Sequence, residues 1–150
     1  MHRDLKLDNI MVCKDGYIKL IDFGVAVALR PGERSGEHVG TLEYMAPEIL
    51  EKSKNRQYDK NVDWWAVGVI TYELLCGQTP FFSKTRETLT KNIRQRELRF
   101  PPKYWNGISD DAKAFIIELL KIDPNERLGS VDDYFDVLLH PWLGDLEYID

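Results

Sequence analysis

The stretch VDWWAVGVITYELLCG, residues 62–77, constrains this chain more than any other. It is apolar nearly all round, and a helix without a polar face belongs inside a protein rather than on its surface. It is too short to span a bilayer and carries Asp63 and Glu73, so residues 62–76 read as a buried central helix. The other elements must then pack around it. A chain of 150 residues that is 43% hydrophobic has enough length for one domain with a real core.

Around that helix the patterning changes by region. Residues 10–12 and 17–21 are short apolar runs rich in Ile and Val, separated by KDG, where Asp15-Gly16 suits a tight hairpin turn. From Gly24 to Pro47 periodicity is absent. RPGERSGEHVG carries Pro31, Gly32, Gly36 and Gly40, which predicts a long loop of the kind that is functional or mobile in a compact domain. Helical patterns follow in PEILEK and at 85–94, 110–121 and 132–139. Ser109 is a good N-cap, with acidic residues in the first turn and Ala112, Phe115, Ile116, Leu119 and Leu120 on one face. Pro124 enforces the stop. The fold class is mainly α with a small β-hairpin near the start, without internal repeats or signs of a second domain.

A net charge of -5 argues against a general nucleic-acid surface, which needs clustered Lys and Arg. KNIRQRELRF groups four basic residues, and a solvated helix face accounts for them better than a nucleic-acid patch. Cys13 and Cys76 lack CxxC spacing and read as small buried hydrophobes. Without a basic-then-apolar signal segment or a membrane span, a reducing cytoplasmic location is the expectation. His140-Pro141-Trp142 reads as a packed turn, since no second metal ligand stands at usable spacing.

Three motifs carry chemistry: His2-Arg3-Asp4-Leu5-Lys6-Leu7-Asp8-Asn9, then Asp22-Phe23-Gly24 thirteen residues after Asn9, then Ala46-Pro47-Glu48. In this order and spacing they resemble the catalytic loop, the magnesium-binding triplet and the activation-segment end of eukaryotic protein kinases. The resemblance covers essentially the whole chain. It implies a partial protein kinase domain over 1–150, the C-terminal lobe from the catalytic loop to the last helix, with a long activation loop and the N-lobe absent. TPFFSKT, FPPKYWNGISDDAKAFIIELLKIDPNERLGS and HPWL look like that lobe in kinases related to the cyclic-nucleotide-dependent and protein kinase C groups.

The implied activity is transfer of the γ-phosphoryl group of ATP to Ser or Thr hydroxyls of protein substrates, with Mg2+ as cofactor. Such a reaction needs a carboxylate to orient the acceptor hydroxyl and take its proton, a role the resemblance gives to Asp4. Lys6 resembles the lysine that serine/threonine kinases use to steady the transferring phosphate, and Thr41 is similar to the threonine bridging base and lysine. Asn9 and Asp22 look like the oxygen ligands of magnesium, a hard cation that prefers carboxylate, amide and water oxygens. Met11 occupies the position of the adenine-pocket floor. Without the resemblance, Thr41 is a turn-capping hydroxyl and Met11 is strand core.

Other matches are architectural. Glu48 and Arg127 resemble a buried ion pair, and His2 and Phe23 resemble two members of an apolar stack linking the lobes. Asp63 is similar to an acceptor for the catalytic-loop backbone; on its own pattern it is a helix N-cap. Where many related kinases carry a phosphorylated threonine paired with the HRD arginine, this chain has Glu37. The expectation is an activation loop ordered by a permanent Arg3–Glu37 pair, with Ser35 as the fallback site for an upstream kinase. The glycine-rich loop, the V-A-I-K lysine strand and the hinge do not occur in these residues. On that ground MHRDLK reads as an internal segment, separated from what precedes it by truncation, alternative initiation or gene-model error. Two consequences are expected: negligible activity of the chain alone, and exposed apolar surface at Trp64, Val67, Val69 and Ile70 that promotes association. The alternative readings are a non-catalytic kinase-derived binding module and a truncated gene product.

Overall fold

The computed structural model describes residues 1–53 and 55–144, so the domain expectation over 1–150 runs outside the described residues at 54 and 145–150. The chain is mostly helical, with one two-stranded antiparallel sheet. Strands β1 (Ile10–Val12) and β2 (Ile18–Leu20) pair in the register Ile10 with Leu20, Met11 with Lys19 and Val12 with Ile18. The turn between them is closed by Gly16 N–H on Cys13 O, at 3.1 Å, and by Cys13 N–H on Tyr17 O, at 2.7 Å. Gly16, at φ +90°, takes the left-handed position that the turn requires.

Helix α1 (Asn61–Cys76) is the centre of the molecule. Val62, Trp65, Ala66, Val69, Ile70 and Tyr72 are all buried on it, as an all-round apolar helix demands. Helix α4 (Asp110–Leu119) crosses it closely at Gly68, where a Cβ would stand 2.9 Å from both Leu119 and Leu120. Ser109 caps α4 by accepting the Ala112 N–H at 3.2 Å, and Ala112, Phe115, Ile116, Leu119 and Leu120 are buried. Helices α2 (Arg86–Gln95), α3 (Pro102–Trp105) and α5 (Tyr134–Leu138) complete the packing. The short α3 is absent from the sequence reading, because four residues give no periodicity to count. His140 is buried at 6% exposure, accepts the Trp142 N–H and packs edge-on to Phe115, in keeping with a packed turn.

Several sequence expectations need correction. PEILEK is a turn, not a helix: Ile49 N–H and Leu50 N–H close single turns on Ala46 O and Pro47 O. The carbonyls that a continuing helix would use are taken by side chains, Ile49 O by Arg56 and His38, and Leu50 O by Arg94. Helix α4 ends at Leu119 rather than at 121, because Leu120 turns out of helical geometry and its carbonyl accepts from Arg96 Nε. The basic run 91–99 is therefore not simply a solvated face. Arg94 and Arg96 buttress backbone carbonyls, and burial lowers the Arg96 pKa.

Of the four α1 residues expected to be bare, Val69 and Ile70 are buried, at 0% and 7% exposure, while Trp64 and Val67 are half-buried. The apolar surface lies elsewhere. Met11, Val12, Ile18 and Phe23 are each more than half exposed, so the strand-core reading of Met11 fails, since no described element covers the hairpin. Cys13 and Cys76 are half-buried free thiols rather than core residues.

Candidate active site

A tight cluster forms where the first nine residues meet the end of the 24–41 loop. After Lys6 the chain makes one 3-10 turn at Leu7–Asn9, closed by Asn9 N–H on Lys6 O at 3.0 Å, and runs straight into β1. This turn folds Asn9 back onto Asp4. Asn9 Nδ2 donates to Asp4 O at 2.9 Å and lies 3.5 Å from Asp4 Oδ2. With its amide nitrogen so committed, Asn9 presents Oδ1 as its remaining polar atom, and that oxygen has no hydrogen-bond partner among the described residues.

Thr41 reaches the same carboxylate from the far end of the loop. Its hydroxyl donates to Asp4 Oδ1 at 2.7 Å and accepts from Lys6 Nζ at 2.9 Å. Lys6 Nζ also stands 3.5 Å from Asp4 Oδ2. The two carboxylate oxygens are thus unequal. Oδ1 holds a short bond, whereas Oδ2 has only contacts at 3.5 Å, too long for strong bonds, and is the oxygen free to accept a proton. The Asp4 side chain is 16% exposed, accessible yet shielded enough for charge interactions to count.

The loop carrying Asp4 is held from below by α1. Asp63, in the first turn of that helix, accepts His2 N–H on Oδ2 at 2.7 Å and Arg3 N–H on Oδ1 at 2.9 Å. It is therefore an acceptor for the loop backbone, not the helix N-cap. A carboxylate gripping two successive N–H groups fixes the peptide that leads into Asp4. Arg3 itself stands at φ +70°, a left-handed conformation uncommon for a side-chain-bearing residue. Gly40, at φ +108°, lies against it, and a Cβ there would be 2.5 Å from Arg3 O. Only glycine allows the two backbones to approach so closely.

Among the described residues, Asp22 and Met11 make no hydrogen bond to the Asp4–Lys6–Thr41 cluster. Asp22 follows Ile21, whose N–H donates to Asn9 O at 3.0 Å, so it stands one residue past the point opposite Asn9. It is exposed at φ +59°, and its Oδ1 accepts the Gly24 N–H at 3.2 Å. Its other oxygen is uncommitted among the described residues. Met11 lies on β1 with 52% of its surface exposed. His2 bridges the loop and the residue that follows β2. Its Nε2–H donates to Ile21 O at 3.0 Å while Nδ1 accepts Asp4 N–H at 3.3 Å, partners that assign the neutral Nε2–H tautomer, and its ring meets Phe23 edge-on at 4.9 Å.

Further residues complete the surroundings. Arg3 Nη1 pairs with Glu37 Oε2 at 2.6 Å and also donates to Ser35 Oγ at 3.0 Å. Burial acts to lower the Arg3 pKa, but bonds to Glu37 and Tyr58 outweigh it and the net shift is upward. Tyr58 is a site residue that sequence reasoning missed. Nothing near it in NRQYDKN signals its partners, which lie more than twenty positions away. Tyr44, also missed, donates its hydroxyl to Glu73 Oε2 at 2.6 Å, and burial raises its pKa above the ordinary phenol value. Glu48 and Arg127 form a two-pronged pair at 2.8 and 3.1 Å.

Asn9 Oδ1 and the free oxygen of Asp22, an amide and a carboxylate, are the hard donors that a magnesium ion prefers, and the residues present fit that ion. No group of three or more His, Cys, Asp or Glu side chains is arranged to hold a metal among the described residues, so such an ion would need oxygens from its ligand or from water.

The family model described as "Protein kinase domain" matches residues 1–143. The chain is similar to RAC-beta serine/threonine-protein kinase B of Xenopus laevis, 39% identical over 152 residues, covering 100% of this chain and 30% of that protein. It is 40% identical over 149 residues to developmentally-regulated protein kinase 1 of Dictyostelium discoideum, covering 99% of this chain and 20% of that protein. It is 38% identical over 152 residues to the RAC serine/threonine-protein kinase of Drosophila melanogaster, covering 100% of this chain and 24% of that protein. The chain thus spans less than a third of the length of these relatives.

Proposed function

This chain belongs to the protein kinase domain family, and from that premise we propose that it is the C-terminal lobe of a serine/threonine kinase that transfers the γ-phosphoryl group of ATP to protein Ser or Thr hydroxyls. The observation that carries this reading is the Asp4–Thr41–Lys6 arrangement, with Thr41 Oγ1 at 2.7 Å from Asp4 and 2.9 Å from Lys6. Asp4 Oδ2 would accept the hydrogen bond of the incoming hydroxyl and then its proton. Lys6, oriented by Thr41, would place its charge beside the oxygens of the group in transit. Thr41 ties the acceptor-binding end of the loop to the base, so ordering of the loop and orientation of Asp4 are one event.

Asn9 Oδ1 and Asp22 would hold magnesium, and Met11 would lie beneath the adenine. When bound, the metal would supply positive charge that offsets the charge developing on the phosphoryl oxygens. The relatives' names support the Ser/Thr class. Arg3 and Glu37 support ordering of the loop without phosphorylation, with Ser35 as a secondary site for an upstream kinase. Two free thiols support a cytoplasmic, reducing setting, and no helix among the described residues is long and apolar enough to cross a membrane. The 150 residues on their own carry no glycine-rich loop and no lysine strand to grip the phosphates, and should turn over negligibly.

The test is a Mg-ATP phosphorylation assay on the intact protein carrying this chain, beside its Asp4→Asn variant. Loss of about a hundredfold or more in kcat is expected. Equal transfer by both proteins would remove Asp4 as the base, and no transfer by the wild type together with retained binding of protein partners would move the reading to a non-catalytic binding module.

A further inference from the structure

Arg3 is the point where four parts of the chain meet. Its backbone rests on Asp63, and its guanidinium donates from Nε to Val25 O at 2.5 Å and from Nη1 to Glu37, Ser35 and the Tyr58 hydroxyl, the last at 3.4 Å. The next residue along is Asp4. Segment 35–41 therefore touches the loop three times in succession, through side chains 35 and 37 on the guanidinium, Gly40 on the Arg3 carbonyl and Thr41 on the carboxylate.

The Glu37 side chain is 67% exposed, and an ion pair so open to solvent holds little by itself. Tyr58 supplies what the ion pair lacks. It is 2% exposed, its hydroxyl donates to Glu37 O at 2.7 Å, and its backbone pairs with Ser35 in both directions at 2.8 Å. One buried residue thus fixes both that face Arg3, Glu37 through its hydroxyl and Ser35 through its backbone. Its own position is set by the sequence leading into α1, the same helix that grips Arg3 through Asp63.

We propose that Tyr58 is a positioning residue for the phosphoryl transfer proposed above: its hydroxyl holds Glu37 on Arg3 and so sets the 35–41 segment, and through Thr41 the carboxylate of Asp4. The proposal rests on that functional reading for its kinetic consequence, not for its structural one.

Tyr58→Phe tests it, because the ring and its packing stay while the hydroxyl goes. Tyr72→Phe is the control. It also loses one buried phenol bond, to Arg99 O at 2.8 Å, at a place that does not touch the segment. Hydrogen exchange on the intact protein is expected to quicken about five- to tenfold across residues 35–41 in Tyr58→Phe and to stay at the wild-type rate there in Tyr72→Phe. In the phosphorylation assay kcat should fall by about the same factor while the KM for ATP holds within about twofold, since Asn9, Met11 and Asp22 are untouched. Unchanged exchange over 35–41 in Tyr58→Phe, or equal quickening in both variants, overturns the proposal. A wild-type protein without phosphoryl transfer would refute the functional reading, and the exchange comparison would still decide whether the hydroxyl holds the segment.

Discussion

Glu48 and Arg127 form the most enclosed ion pair among the described residues, and removing Glu48 isolates what it contributes. Arg127 is wholly enclosed, with 0% side-chain exposure, and its partner Glu48 is 12% exposed, 79 positions away in sequence. Breaking one side of such a buried pair costs about 3–5 kcal/mol, because the remaining charge is stranded away from water. In Glu48→Ala the guanidinium keeps the carbonyls of Asn61 at 2.6 Å and Lys121 at 3.0 Å, and the face of Trp65 at 5.2 Å. These partners still solvate the cation, which places the expected loss near the lower end, about 3 kcal/mol. For a chain of this size that is a drop in Tm of roughly 6–12 °C, or about 1.5 M in the urea midpoint at a slope near 2 kcal/mol/M. Urea unfolding followed by both far-UV circular dichroism and tryptophan fluorescence reads the value and tests whether the transition is cooperative. A double-mutant cycle with Arg127→Met should return a coupling of about 2–3 kcal/mol, since Glu48 has nothing comparable to bind once the cation is gone. A loss below about 1 kcal/mol for Glu48→Ala, or an absent coupling, would refute the argument that an enclosed charge is what the pair protects.

Three further outcomes follow from single contacts. Gly40→Ala must both adopt φ +108° and press on Arg3 O at 2.5 Å, so urea unfolding should show a loss of about 2 kcal/mol or more; a neutral result would mean that the 35–41 segment does not pack on the loop in solution. Ser109→Ala removes the N-cap of α4 and should cost about 1 kcal/mol in the same assay, with Ser109→Asp close to wild type. Glu37→Gln keeps the shape but deletes the charge on Arg3, and because that pair is open to solvent the intact protein should lose only about two- to threefold in phosphoryl transfer; unchanged activity would remove the idea of a loop ordered by Glu37.

What could be read from the sequence was what short-range chemistry decides. A run of residues with no polar face has one possible place, and α1 occupies it, starting at Asn61 and ending at Cys76. Ser109 with two aspartates behind it is a cap by virtue of neighbours three residues away, and it caps α4. PEILEK failed for the opposite reason. Its local pattern is helical, but Arg56, His38 and Arg94 take the carbonyls that a helix would need, and no local window contains all three. The site divides along the same line. Asn9 meets Asp4 through one turn of chain, a distance over which sequence pattern speaks directly. Thr41 and Asp63 come from 37 and about 60 residues away, and only the resemblance to a family pattern brought them into consideration. Tyr58 belongs to no motif, and nothing marked it. The physical link between these cases is α1 itself: the buried helix that the composition makes obligatory carries Asp63 at its start. The same packing that removes Trp65 and Val69 from water therefore sets the backbone on which Asp4 stands. A substitution that loosens the α1–α4 crossing at Gly68 should accordingly be felt at Asp4 without touching it, because the core and the catalytic loop share one support.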